Sequence, residues 1–310
     1  MDMNYKRHSN LSLVYHYCSL HTFIEIVKNS TIRLANIKKS NDLEEVAFLV
    51  SKIKALSAAT IYRLNKRLTD KNKIDEMYID DVFDNTFTDF STMYFVSCFS
   101  DERDMLEQWK GYANMGCGVS IGFSTTVLHR LTEIKHKYLF TPVEYHFESY
   151  SNKFQEELRT FADNLDDTPN IRDDLGQFLY KTMTFLLSQT CRYKNPSFSS
   201  EREWRLIYNP YGMTRRLTKT EHFVDHMNEL KTPSDYGNGF IRKPISFEVK
   251  NNKIRSYIDL DFSKVKNELI KEIVIGNNAQ IDDVDLVLLL STYGYSLNGL
   301  KISKSSIPLT

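Results

Sequence analysis

The 310-residue sequence contains 40 lysines and arginines against 40 aspartates and glutamates, and 41% of its residues are hydrophobic. This composition is typical of a globular chain that can bury a sizeable core, in one large domain or two smaller ones. The formal net charge of zero excludes a chain that is polybasic overall, as a nucleic-acid coat or a membrane-surface anchor would be, although local patches remain compatible with it.

We expect no targeting signal in this sequence. No segment approaches the roughly 20 apolar residues that a membrane helix needs, and residues 1–8 are not followed by an apolar signal-peptide core. The four cysteines are far apart and none lies at metal-ligand spacing, which favours reduced thiols and no metal site. We therefore expect a cytoplasmic protein without membrane contact.

Taken in order, the first elements form two strand, helix, strand units. In the first unit residues 11–17 form a strand, Ser19 caps a helix that runs to about Lys28, and residues 31–35 form the second strand. A long helical region follows from Asn41, with acidic residues in its first turn, as the helix dipole prefers. The second unit comprises residues 93–99, 103–112 and 119–123.

Helices are prominent in the second half of the chain. Two amphipathic helices, residues 149–164 and 171–193, indicate a helical insertion at about residues 148–194 that covers one side of the protein. The other predicted elements are a strand over 138–146, a strand that Glu201 opens, a turn-rich loop over 231–243, an antiparallel pair over 245–249 and 254–260, a strand over 270–275, a helix over 282–293 and a strand over 300–303. Paired strands with helices between them favour a single α+β domain, residues 1–310, with a central mixed or antiparallel sheet under helical cover.

The stretch from Pro196 to Tyr208 carries two glutamates at the start of a predicted strand. Glu201 and Glu203 point the same way if the segment is extended. Burial of an ionised carboxylate without partners costs free energy. Two explanations follow: Arg202 and Arg205 are counter-ions of the glutamates, or the glutamate pair is functional. A salt-bridge ladder on an edge strand is the alternative interpretation.

Several short motifs, taken together, resemble a known family. They are Tyr15–Leu20, Ile32–Leu34, Asn41–Asp42 with Glu45, Cys98–Ser100, Trp109–Tyr112, Gly118–Phe123, Glu201–Arg205 and Ile302–Pro308. The ordered set resembles the bacterial family called domain of unknown function 2971 (DUF2971), which implies no activity.

A more distant resemblance implies an activity. A strand that ends in His, a later aromatic helix and a glutamate pair that opens a further strand are similar to ADP-ribosyltransferases of the His-Tyr-Glu type, whose relatives include enzymes that modify DNA or RNA. The resemblance implies an ADP-ribosyltransferase-like fold, NAD as the substrate, and a nucleic acid or a protein as the acceptor. It also suggests a toxin or a phage-defence effector, which an inhibitory or sensing partner would control.

The residue roles follow from the same resemblance. His16 matches the residue that contacts the adenosine-side ribose, and Tyr112 matches the residue that packs on the nicotinamide. Glu203, or in its place Glu201, matches the catalytic residue that bonds the nicotinamide-side ribose, and the other glutamate would help to deprotonate the acceptor. The implied NAD-binding set is completed by Trp109 and Ser100.

These residue types suit the chemistry. Cleavage of an N-glycosidic bond passes through an oxocarbenium-like transition state, which a carboxylate beside the ribose stabilises. The cationic nicotinamide ring favours an aromatic face, through stacking and a cation–π attraction of roughly 0.5–2 kcal/mol.

Other interpretations of the same residues remain. His16 can be a core histidine, and Trp109 with Tyr112 can be core residues at helical spacing. The activity can be NAD hydrolysis, with water as the acceptor. The protein can instead be a non-enzymatic sensor or a nucleic-acid-binding module that uses basic segments such as residues 62–73 and 214–216; a nuclease lacks a compact metal site in this sequence.

Overall fold

The computed structural model describes residues 11–37, 43–75, 77–78, 80–82, 94–133, 138–146, 148–209, 245–250 and 252–308. Within these ranges no helix combines the length and the apolar character needed to cross a lipid bilayer. The predicted loop over residues 231–243 and the basic segment 214–216 lie outside the described residues.

The described strands form one ten-stranded sheet. Their bounds are β1 Leu13–Cys18, β2 Thr31–Asn36, β3 Phe95–Ser100, β4 Val119–Ser124, β5 Tyr138–Pro142, β6 Glu203–Tyr208, β7 Ser246–Lys250, β8 Lys253–Asp261, β9 Ile270–Ile275 and β10 Lys301–Lys304. Among these strands β9 and β10 pair in parallel and the other pairs are antiparallel. The mixed sheet with its helices confirms the expected α+β class.

Helices cover the sheet and extend beyond it. Their bounds are α1 Leu20–Asn29, α2 Leu43–Leu64, α3 Leu106–Gly111, α4 Thr125–Glu133, α5 Glu148–Asp163, α6 Ile171–Thr190, α7 Lys266–Leu269 and α8 Asp283–Thr292. Ser19 caps α1 as predicted, because its Oγ accepts the Thr22 N–H at 3.2 Å. Asp282 caps α8 in the same way, accepting the Val284 N–H at 2.8 Å.

Two predicted elements are clearly shorter in the structure, and one helix of the structure was not predicted. Helix α4 was not expected, although Val127, Leu128 and Leu131 lie at helical spacing and are buried. The helix expected over 103–112 is shortened to α3, and the strand expected over 138–146 ends at Pro142, whose ring nitrogen has no hydrogen to donate to a ladder.

Strand β3 is the junction of the sheet, whose main order is β10-β9-β4-β1-β3-β2-β8-β7. One edge of β3 pairs with β6 along its whole length, and β6 in turn pairs with β5. The other edge is shared: β2 pairs with Val96, near the start of β3, and β1 pairs with Ser100 at its end. Strands β1 and β2 therefore diverge and leave a fork beside residues 97–99.

The two faces of the sheet have different cover. The main core lies on one face, where α1, α4 and α8 contribute buried side chains such as Phe23, Leu128 and Leu290. The opposite face carries Tyr15 and Tyr17, against which α3 packs. The polar cluster that contains Glu203 lies on this opposite face, because β6 alternates and Trp204 belongs to the main core.

Helices α2, α5 and α6 have a separate core. Its buried members include Ile53, Leu158 and Leu175. The Arg67 guanidinium, from the predicted basic segment, donates to the Ala162 carbonyl at 2.7 Å. This part of the segment therefore ties α2 to α5, and the division of the chain into a domain with an insertion stays a prediction.

Candidate functional site

The glutamate pair does not lie on one strand. Residues Pro196–Glu201 form a 3₁₀ turn, which Asn195 caps by accepting the Ser197 N–H at 3.0 Å. Arg202 then takes a left-handed conformation with φ of 48°, and β6 begins only at Glu203. The prediction of an extended segment from Glu201 was therefore wrong, because a capped turn that begins with proline competes with the strand.

Lys194 joins the two glutamates instead. Its ammonium nitrogen donates to Glu201 Oε2 at 2.7 Å and to Glu203 Oε2 at 3.1 Å. The lysine and Glu203 are both buried, whereas Glu201 is partly exposed. The 3₁₀ turn brings the chain back so that Lys194, before the turn, binds Glu201 at the end of the turn and Glu203 at the start of β6.

Arg205 completes the charge balance around Glu203. Its Nε donates to Glu203 Oε1 at 2.7 Å and its Nη2 donates to Oε2 at 3.2 Å, a bidentate pair. The remaining Nη1 donates to the Cys191 carbonyl at 3.1 Å. Although burial alone would raise the pKa of Glu203, Arg205 and Lys194 lower it to about 2. Glu203 is therefore an ionised carboxylate in a buried position.

Cys98 lies at the centre of the predicted site residues. Its side chain hydrogen-bonds to the Glu203 carboxylate, and it faces Arg205 across the β3–β6 ladder. Its carbonyl oxygen is 2.9 Å from His16 Nδ1. The side chain of Cys98 is exposed, so this junction is accessible from the surface.

Tyr112 directly follows α3 and faces the same cluster. Its residue surface is 52% exposed. Burial of its hydroxyl raises the pKa of Tyr112, and the negative charge of Glu201 raises it further, while Lys194 opposes both effects. Glu201, Glu203 and Cys98 all act on the Tyr112 hydroxyl, so these four residues lie in one neighbourhood. Three of them, Tyr112, Glu201 and Glu203, were predicted as site residues from the sequence.

His16 contacts the Cys98 carbonyl beside the fork between β1 and β2, but its side chain lies on the other face of the sheet from the Glu203 cluster. It alternates with Tyr15 and Tyr17, so its side chain leaves β1 on the face of the main core and contacts the Phe99 ring edge-on, 5.8 Å between centroids. Burial lowers the pKa of His16, which favours the neutral imidazole. Because a carbonyl can only accept, Nδ1 carries the hydrogen in this arrangement and Nε2 is an acceptor.

Trp109 and Ser100 have partners inside the protein. Trp109 is fully buried, packs edge-on against Tyr17 at 5.0 Å and donates its indole N–H to Asp104 Oδ1 at 2.6 Å. The Ser100 hydroxyl donates to the Glu201 carbonyl at 2.9 Å. Both residues support the loop and the turn around the site, and we do not include them among the residues that would contact a ligand.

Several residues of the cluster escaped sequence reasoning. Lys194 precedes the turn as an ordinary basic residue, and only the fold of the turn brings it to the glutamates. The Tyr145 hydroxyl accepts the Glu203 backbone N–H at 2.9 Å, and the half-exposed Phe198 ring lies 5.0 Å from the Lys194 ammonium. Phe198 lies close to the glutamate pair in the sequence, which is a weak signal for this residue, whereas Tyr145 is distant in the sequence and has no such signal.

The arrangement offers a partly exposed carboxylate, a buried one that remains ionised, and aromatic rings at the surface. In the part of the chain that the structure describes, no three His, Cys, Asp or Glu side chains are grouped so that they could hold a metal ion. The chemistry that these side chains can support is therefore recognition of a planar or cationic group and stabilisation of developing positive charge.

Comparison with known proteins gives one match. The model of the family described as "Protein of unknown function (DUF2971)" matches residues 108–206, which extend from α3 to β6. No curated protein and no solved structure matches the chain. The predicted resemblance to DUF2971 is thus confirmed over residues 108–206, which include Tyr112, Lys194 and the glutamate pair.

Proposed function

We propose that this site cleaves the N-glycosidic bond of NAD and transfers ADP-ribose to a macromolecule, a nucleic acid or a protein. The observation that supports the proposal best is the meeting of an exposed tyrosine with Glu201 and the buried, ionised Glu203 around Cys98. An aromatic face suits the nicotinamide ring before it departs, and a fixed carboxylate suits the positive charge that develops on the ribose.

The two glutamates have different roles in this proposal. Glu203 cannot move, since Arg205 and Lys194 hold both of its oxygens, so it acts as a fixed negative charge beside the ribose. Glu201 is more exposed and has Lys194 as its ion-pair partner, which leaves one oxygen to accept a proton from the acceptor. His16 has the chemistry of a ribose contact, but its side chain leaves β1 on the other face of the sheet from the glutamate pair, so we assign it no contact with the ribose.

The acceptor decides between two versions of this chemistry. A macromolecular acceptor makes the protein an ADP-ribosyltransferase, whereas water makes it an NAD glycohydrolase. A toxin or phage-defence role, with an inhibitory or sensing partner, belongs to the transferase version.

The experiment is to incubate the protein with NAD labelled in the nicotinamide ring, alone and with a cell lysate, and to measure released nicotinamide. We expect wild type to release nicotinamide. The variants Glu201→Gln, Tyr112→Ala and Glu203→Gln should each lose this release. Glu268→Gln is the matched control, because it neutralises an exposed glutamate that pairs with Arg130 on another side of the protein. No release from wild type with protein, DNA or RNA acceptors would overturn the proposal.

One observation favours a second candidate, a non-enzymatic sensor or nucleic-acid-binding module. Glu203 is paired with Lys194 and Arg205 inside the protein, as in a structural ion-pair cluster. These two partners explain why Glu203 is ionised, without any role for a substrate. In that case wild type releases no nicotinamide, and NAD or nucleic acid binds, if at all, with an affinity that Glu201→Gln leaves unchanged.

A further inference from the structure

The chain after β10 is attached to the loop that leads into α3. Ser305 Oγ donates to Asp104 Oδ1 at 2.6 Å. Ser306 donates to Asp104 Oδ2 twice, from its backbone N–H at 2.8 Å and from its hydroxyl at 3.0 Å. A single carboxylate thus holds the segment that follows β10.

The same carboxylate holds α3. Asp104 Oδ1 also accepts the indole N–H of Trp109 at 2.6 Å. These hydrogen bonds lower the pKa of Asp104 and keep it ionised, although burial opposes the shift. Asp104 therefore connects Ser305 and Ser306 to a fully buried side chain of α3.

The sheet fixes the opposite side of the same loop. Tyr17 on β1 donates its hydroxyl to the Glu102 carbonyl at 2.8 Å and accepts the Met105 N–H at 3.0 Å. Arg103 pairs with Glu272 on β9 at 2.7 Å and also bonds to Ser303 on β10. The loop is held by β1, β9 and the segment 301–306.

Tyr112 lies less than one helical turn beyond Trp109. Its backbone N–H donates to the Gln108 carbonyl at 3.0 Å, so the backbone from which its ring projects is tied to the short helix. From this geometry we infer that Asp104 is a positioning residue: together with Ser305 and Ser306 it holds Trp109, and through Trp109 it sets Tyr112 against the Glu201–Glu203 pair. The consequence for catalysis rests on the proposed function, whereas the placement of Tyr112 does not.

The test compares Asp104→Asn, and separately the double variant Ser305→Ala with Ser306→Ala, with wild type in full-length protein. Ring-labelled tyrosine and indole-labelled tryptophan are followed by NMR; Tyr112→Phe assigns the first signal, and the sequence has only two tryptophans. We expect the signals of both Trp109 and Tyr112 to shift in both variants. Asp282→Asn is the control, because this aspartate also accepts a backbone N–H at a helix start but lies on α8, and it should move neither signal.

The outcomes separate positioning from a purely structural role. A shift of Trp109 with an unmoved Tyr112 would overturn the inference, and so would two unmoved signals. If nicotinamide is released, kcat should fall about 10- to 100-fold in Asp104→Asn, as expected for a misplaced group, and Tyr112→Phe should add little to that loss. If wild type releases none, the proposed function fails while the NMR result still decides the positioning role.

Discussion

Glu203 shows how much one buried carboxylate depends on its partners. Replacement by glutamine removes the negative charge but leaves Lys194 and Arg205 buried. We expect Glu203→Gln to lower the free energy of unfolding by about 3–5 kcal/mol, measured by urea denaturation. Glu268→Gln should leave it nearly unchanged, because water screens that exposed pair. Equal losses in the two variants would contradict this account of Glu203.

The same residue predicts a dependence of stability on pH. The pKa of Glu203 is lowered to about 2 in the folded protein, whereas an unfolded glutamate titrates near about 4.3. Its contribution is therefore fully present above about 4.3 and is lost as the pH falls toward about 2. The difference in unfolding free energy between wild type and Glu203→Gln should be constant from pH 7 to 5 and should narrow below that range. A difference that stays constant down to pH 3 would contradict the assignment.

Single residues also show what sequence reasoning could find in the site. The glutamates were singled out by their spacing, and Tyr112 was singled out by the resemblance to ADP-ribosyltransferases. Lys194 and Cys98 were not, since a lone lysine and a lone cysteine have many ordinary roles. Their importance arises from distances across β3, β6 and the 3₁₀ turn, which a linear pattern does not contain.

At the scale of elements, the start of β4 is tightly packed against β1 and β9. A Cβ added to Gly118 would lie 2.1 Å from the Cys18 carbonyl oxygen, a backbone atom that cannot turn away. We expect Gly118→Ala to lower the free energy of unfolding by about 1–3 kcal/mol or more, measured by urea denaturation. Gly111→Ala is the control: it meets nothing within 4 Å at the end of α3 and should be neutral or stabilising by up to about 1 kcal/mol. Equal changes in the free energy of unfolding for Gly118→Ala and Gly111→Ala would show that β1 and β4 can move apart at Gly118.

The elements were largely predictable from local signals. Alternation of polar and bulky residues marked β3, an apolar run marked β9, and Ser19 marked the start of α1 through capping chemistry. The predictions were wrong where another local structure competed with the predicted one, as the capped 3₁₀ turn does before β6. The pairing of β3 with three partners depends on contacts between distant segments and has no local signal.

At the scale of the molecule, α2, α5 and α6 form a core apart from that of the sheet. Leu158→Ala, which opens a cavity there, should cost about 2–5 kcal/mol of local stability. Hydrogen exchange should accelerate in α2, α5 and α6 and stay unchanged in β1 and β4, as expected for a separate cooperative unit. Leu260→Ala in the main core is the control and should accelerate exchange in the sheet. Uniform acceleration by both variants would contradict a separable helical insertion.

The predicted insertion is also connected to the site. Glu144 and Tyr193 form a parallel bridge where the chain leaves for α5 and returns from α6. Cys191 and Lys194 follow this return, and both bind the Glu203–Arg205 pair, Cys191 through its carbonyl and Lys194 through its ammonium. Opening of the helical part would therefore alter the charge around Glu203.

The order of strands in the sheet has a consequence for synthesis of the protein on the ribosome. β4 and β2 lie in the middle of the finished sheet, yet their outer partners β9 and β8 come much later in the chain. Until these partners emerge, the nascent chain presents two open strand edges with apolar side chains. Such long-range pairing is slow, so the folding intermediate should be prone to aggregation and should benefit from a chaperone.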